Sequence, residues 1–213
     1  MLIPAWATQI DTDKRLMAAA DTMSEIMGTP DKSIPQDLLN KAECAIVVPG
    51  LKKGAFIIGA KYGRGFAVCR NSNGPGWGAP AAVRVEGGSF GLQIGGAETD
   101  VVMLVMNQGG MKKLLTSKFT LGGDASVAAG PVGRESSAQT DAFMNAEILT
   151  WSRQRGAFAG IALTGATLRG DGDTNQDMYG KPYTNKDILG STIEPPRAAA
   201  VLITLLNKYS SRK

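Results

Sequence analysis

Apolar positions recur along this chain in two rhythms. From Asp11 to Met27, Leu16, Ala20, Met23 and Met27 return at helical spacing, and Gly28-Thr29-Pro30 ends the run, which predicts an amphipathic helix. Pro35 opens a second, shorter helical pattern through Leu38, Leu39 and Ala42, with Asp37 in the first turn, where the helix dipole favours an acid. From Cys44 the texture changes to short apolar runs broken by glycine: Ala45 to Val48, Ala55 to Ala60, Gly65 to Cys69, Ala81 to Val85, Ser89 to Ile94 and Val101 to Met106. These read as strands, punctuated by Pro49-Gly50, Lys61-Tyr62-Gly63, Asn73-Gly74-Pro75-Gly76 and Glu86-Gly87-Gly88. Gly109 to Lys118 has the pattern of a short helix. Asp124 to Ala129, Ala146 to Ser152 and Ala157 to Leu163 return to strand texture, with Gln154-Arg155-Gly156 turning the last pair into a hairpin. Pro195-Pro196 then leads into a closing helix over Ala198 to Lys208.

The order of elements predicts one α+β domain over residues 11–209. Its body is a largely antiparallel curved sheet or barrel, flanked by N-terminal, middle and C-terminal helices. Residues 1–10 form a tail. Its Ala5-Trp6-Ala7 small-x-small pattern fits either the remnant of a signal peptide or an ordinary frayed terminus.

Composition narrows the chemistry. Glycine is abundant at 27 of 213 residues and aromatics are sparse at 6%, as expected for many tight turns between short strands. Histidine is absent, which removes the commonest general base and metal ligand. No nucleophile with a nearby base and no paired carboxylates stand out, so no residue is nominated for catalysis and no cofactor is expected. Cys44 and Cys69 lie in strand-like settings without redox or zinc spacing, and are either buried thiols or a mutual disulfide. The net charge of +4 is too small to point to nucleic acid, and no apolar stretch approaches the length needed to cross a bilayer.

The order of motifs resembles the SYLF domains of bacterial envelope proteins and of eukaryotic proteins that join membranes to the actin cytoskeleton. The matching pieces begin with Pro49, Gly63 and Gly65 in Lys-Tyr-Gly-Arg-Gly, Trp77 to Pro80, and the run Gly88 to Gly95. They continue through Asp100, Asn107, Leu121-Gly122, the Ala129 to Arg134 turn, Trp151-Ser152-Arg153, Gly156 to Gly160 and Tyr179-Gly180. The resemblance implies a non-enzymatic domain that binds phospholipid, often phosphoinositide in eukaryotic members, with actin binding in some of them. No Src-homology or FYVE module accompanies the domain, so the sequence gives no support for actin as a partner. An envelope-associated, periplasmic or secreted setting is expected.

Charge distribution supplies the candidate site. Between Glu43 and Glu86 there is no acid, while Lys52, Lys53, Lys61, Arg64, Arg70 and Arg84 all occur. Of these, Lys52, Lys53, Lys61, Arg64 and Arg70 are the predicted contacts to anionic membrane lipid, with Lys112 and Lys113 of the middle helix assisting. The N-terminal helix carries Asp11, Asp13, Asp21 and Glu25 against Lys14 and Arg15, and so is expected to pack on the sheet instead of lying alone on lipid. Asp171, Asp173, Asn175 and Asp177 place oxygens at alternate positions, as a calcium loop begins. Gln176 and Pro182 stand where that motif needs glycine and glutamate, which leaves a weak cation candidate or a polar loop capping a helix. The glycine-rich pieces lack a Walker lysine and a dinucleotide fingerprint. The leading reading is peripheral docking on anionic phospholipid or phosphoinositide. The alternative is a carrier enclosing a hydrophobic ligand within the β-rich body.

Overall fold

The computed structural model describes residues 5–29, 33–55, 58–90, 95–131, 145–154, 157–158 and 163–210. Four long strands form its centre: β1 (Cys44–Ala55), β2 (Ile58–Cys69), β3 (Ala81–Phe90) and β4 (Gly95–Val105). Shorter strands extend the sheet: β5 (Lys118–Thr120), β6 (Val127–Ala129), β7 (Ile148–Gln154), β8 (Ala157–Phe158) and β9 (Thr167–Gly170). The order is β5-β9-β3-β2-β1-β4-β7-β6, with β8 paired to β7, and the sheet curls into a half-barrel. Pairing is antiparallel throughout except between β6 and β7. The expected α+β class and curved antiparallel body are what the structure shows.

Both faces of the sheet are buried, because alternate residues of the central strands feed two separate cores. Ile46, Val48, Val83, Val101 and Met103 point to one side, where they meet Leu114 of α3 (Gln108–Leu114) and Ile188 of α5 (Asn185–Leu189). Val47, Phe66, Val102, Leu104 and Trp151 point to the other. There they meet α1 (Ala5–Met27), α2 (Gln36–Lys41) and α6 (Ala200–Tyr209). The expected amphipathic stripe of α1 packs as predicted: Leu16, Ala20 and Met23 are buried and Met27 packs at the edge of the same core. Burying such side chains contributes about 1.5–3 kcal/mol each, which is why an acidic outer face does not prevent α1 from docking.

Several elements differ from the expectation. The first helix starts at Ala5, six residues before the expected Asp11. Lys118 belongs to β5, not to the middle helix, which ends at Leu114. Thr167 to Gly170 forms a strand that local pattern did not announce, and Gly172 to Tyr179 forms α4. The predicted hairpin after Gln154 is present as the β7–β8 pair, while residues 159–162 of its second run lie outside the described residues.

The two cysteines are joined. Cys44 and Cys69 face each other across the β1–β2 ladder and form a disulfide, with the thioether of Met111 against it.

Candidate functional site, a charged groove beside the first helix

The β1–β2 hairpin is the element that places the predicted cations. Between Val48 and Leu51 the register slips, so that β1 has one residue more than both of its neighbours. This bulge at Pro49-Gly50 puts Val48 and Leu51 in the same core. Gly50 has φ of 57°, a left-handed value that suits glycine, and a Cβ there would lie 2.6 Å from a carboxylate oxygen of Glu98. Its N–H donates to Asp100 at 2.9 Å. Beyond the bulge, Lys52 pairs in register with Tyr62 on one side and Glu98 on the other, and Lys53 pairs with Lys61. Alternation then sends Lys52, Tyr62 and Arg64 to the α1 face, and Lys53 and Lys61 to the α3 face.

The predicted lipid contacts separate into three fates. Lys52 is exposed and Lys53 half-buried near the hairpin end, as a docking residue must be. Lys61 is only 8% exposed, and burial together with the Lys53 charge holds its ammonium below the usual lysine range. Arg70 is half-buried and held by acceptors. Its guanidinium donates to the carbonyls of Ala42 (3.2 Å), Leu39 (2.9 Å) and Ser210 (2.6 Å), and stacks 3.8 Å from the Trp77 ring centroid. Trp77 Nε1 donates to the same Ser210 carbonyl at 2.8 Å. Arg70 thus ties the ends of α2 and α6 to the sheet, with its guanidinium engaged by these acceptors instead of held out for lipid alone.

Arg64 is likewise engaged. It stands directly opposite Arg84 on β3, and Arg84 stands opposite Arg169 on β9, so three arginines run across neighbouring strands. Like charges so placed repel, and buried acids offset them. Asp171, 1% exposed, lies 3.0 Å from Arg64 Nε and 3.2 Å from Arg84 Nη2, while Glu86 lies 3.2 Å from Arg169 Nε. Asn175 holds Asp171 in position: its carbonyl oxygen accepts from Ala82 N at 2.7 Å and its amide donates to Asn185 at 2.8 Å. These residues answer the cation question. Asp171 caps α4 and serves the arginines, Asp173 is exposed on the first turn, and Asn175 is buried in hydrogen bonds. Asp177 sits further along the same helix, so the four oxygens do not form a loop. Among the described residues no group of three or more acidic, histidine or cysteine side chains converges on a metal position.

Arg15 is the residue that sequence reasoning undervalued. It projects from α1 toward the arginine row, and burial and the Arg64 charge hold its guanidinium below the usual arginine range, with Asp171 acting against that trend. Around it opens a recess of about 290 Å³, lined also by Lys52, Tyr62, Arg64 and Glu98. The recess continues into a groove of about 1020 Å³ between α1 and the ends of β1, β4 and β7. The groove carries both signs: Lys52, Lys53 and Arg153 against Asp21, Glu98 and Asp100, with Glu25 ion-paired to Arg153.

Lys112 and Lys113 lie on α3, whose Met111 touches the Cys44–Cys69 disulfide, whereas Lys52 lies eight residues along β1 from Cys44. At about 3.3 Å per residue the two basic groups are about 25 Å apart, so the structure does not bring them together. Toward the carrier alternative, packed side chains fill both faces of the sheet among the described residues.

The sheet is curled with both faces covered, and a charged groove lies beside its first helix. The chain belongs to the Ysc84 family, described as "Las17-binding protein actin regulator", whose family model matches residues 86–209. It is similar to LAS seventeen-binding protein 3 of Saccharomyces cerevisiae, with 33% identity over 197 residues that cover 90% of this chain and 42% of that protein. An SH3 domain-containing protein of Schizosaccharomyces pombe is 34% identical over 177 residues, 82% of this chain and 41% of its own length. SH3 domain-containing YSC84-like protein 1 of Homo sapiens is 30% identical over 184 residues, 86% of this chain and 53% of its own length. The chain therefore spans about two fifths to one half of these relatives. The SYLF resemblance is borne out, and the relatives' names describe binding proteins and no enzyme.

Two expectations are overturned by these relatives. The family description names an actin regulator, so the view that actin has no support is corrected; the lack of an appended module says nothing about what this domain itself contacts. The relatives come from yeasts and mammals, which overturns the periplasmic, envelope or secreted setting. Among the described residues no helix is long and apolar enough to cross a membrane.

Proposed function

We propose that this chain is a non-catalytic module that docks on anionic phospholipid through the free end of the β1–β2 hairpin. The observation that carries the reading is the adjacency of Lys52 and Lys53 at that end, with Tyr62, 44% exposed, in register beside Lys52. Cations near an anionic leaflet contribute about 1 kcal/mol each, and an exposed aromatic with a polar tip suits the headgroup level. Arg64 and Lys61 support the local potential from behind, and Lys112 and Lys113 form a separate basic group. The family description adds a second reading, contact with an actin-regulatory protein, which this end of the sheet leaves room for beside the α1 groove.

Co-sedimentation with vesicles of varied phosphatidylserine content tests the first reading. The Lys52→Gln, Lys53→Gln double variant should keep its fold and bind about thirtyfold more weakly, the loss expected for two such contacts, and added salt should reproduce the effect in the parent. Lys112→Gln with Lys113→Gln serves as the comparison. If that pair lowers binding and the hairpin pair does not, the docking face has been placed at the wrong end.

A further inference from the structure

The groove beside α1 is poorly suited to a flat anionic leaflet. Half-buried Arg15, Arg64 and Arg153 stand in it beside exposed Lys52, and Asp21, Glu98 and Asp100 line the same walls. A surface that presents both signs within one cleft selects a ligand that also carries both signs, in a matching order. Its volume of about 1020 Å³ exceeds what a single headgroup phosphate needs and lies at the upper end of ligand-pocket sizes.

We propose that this groove docks an extended protein segment of mixed charge, with an acidic side chain seated in the Arg15–Lys52–Arg64 recess and a basic side chain directed at Asp21. The recess carries an excess of positive charge. Arg15, Lys52 and Arg64 line it against Glu98, and Asp171 is already shared by Arg64 and Arg84. An incoming carboxylate completes that balance, and bidentate pairing suits a guanidinium.

Asp21 lies outside the recess. It is exposed on α1 six residues after Arg15, about 9 Å further along the helix axis. An extended segment advances about 3.3 Å per residue, so a basic side chain about three positions from the acidic one reaches Asp21. Glu25 lies about 15 Å from Arg15 but is committed to Arg153. The spacing thus favours a segment with an acid followed about three positions later by Lys or Arg.

The test uses the whole chain and three acetylated, amidated peptides: Glu-Ser-Gly-Lys-Ser-Lys, its reversed sequence to cover either chain direction, and Glu-Ser-Gly-Glu-Ser-Glu. Binding is read by heteronuclear NMR shift perturbation at low salt. One mixed-charge peptide should bind about tenfold more tightly than the all-acidic one, with shifts at Gly50, Lys52 and Tyr62. Arg15→Gln should abolish that preference. Asp21→Asn, an exposed change that spares the fold, should weaken the mixed peptide and strengthen the acidic one. The proposal is overturned if the all-acidic peptide binds the parent as tightly as the mixed ones, or if neither substitution alters binding. It is overturned also if no peptide binds and Arg15→Gln instead weakens vesicle association, which would make the recess a headgroup site. Because Asp21→Asn leaves every cation of the vesicle reading in place, failure of one reading leaves the other measurable.

Discussion

The two ends of the β1–β2 ladder carry the same kind of residue and put it to opposite uses. At the end that holds the disulfide, Arg70 is drawn inward by three carbonyls and a tryptophan ring, and the chain ends of two helices converge on it. Toward the hairpin end, Lys52 is exposed and Lys53 half-buried, with the exposed Tyr62 in register beside Lys52. A cation's fate is thus set by the backbone carbonyls that the fold gathers around it. Arg suits the first environment because its planar fork satisfies several acceptors at once, and Lys suits the second because its hydrated point charge stays in water.

The comparison can be broken at several points. The largest expected effect is loss of the disulfide: it closes a loop of 25 residues, and the Cys44→Ser, Cys69→Ser variant should lose about 3 kcal/mol in urea unfolding while keeping vesicle binding, since it lies at the far end from Lys52. Asp171→Ala should cost nearly as much, about 3 kcal/mol, because it strands Arg64 and Arg84 and removes the cap of α4. Asp171→Asn, which keeps the cap, should cost less, and the difference between the two separates capping from charge. Arg70→Gln should cost about 2 kcal/mol by freeing the Ser210, Leu39 and Ala42 carbonyls, and should expose the end of α6 to hydrogen exchange. If Arg70→Gln were neutral for stability and harmful to vesicle binding, the contrast between the two ends would collapse.

The smallest effect sharpens the hairpin end. Lys61 is held below its ordinary pKa by burial and by Lys53, so the unfolded chain binds the proton more readily than the folded one. Its charge therefore opposes folding below the folded pKa, and stability rises as pH increases through that value toward about 10.4, the lysine value of an unfolded chain. Lys61→Met should remove this alkaline gain, measured as a flatter dependence of the unfolding midpoint on pH between neutrality and pH 10.

The four long strands were legible because each carries enough alternation and glycine punctuation to declare itself locally. The strand Thr167–Gly170 was not, since its four residues are strand by pairing with β3 and β5, both far away in sequence. The site was legible in part. Lys52 and Lys53 stand out in an acid-free stretch, but nothing near Arg64 in sequence announces Asp171, and nothing near Arg70 announces Ser210. Arg15 was discounted because the polar face of α1 was weighed as a whole. Only docking of the helix shows that its acids face solvent while this one cation turns toward the arginine row.

The single extra residue at Pro49-Gly50 has a consequence for how sequences of this kind can diverge. Side chains alternate along a strand with a period of two, so removing one residue there would invert everything from Leu51 to the hairpin tip: Leu51 and Lys53 would turn toward α1, and Lys52 toward the opposite core. A one-residue deletion would therefore act as a polarity swap, exchanging which lysine meets the outside without changing either lysine. Length variation at this bulge should be rarer than substitution at the lysines themselves, and where it occurs it should travel with a compensating change on the neighbouring strands.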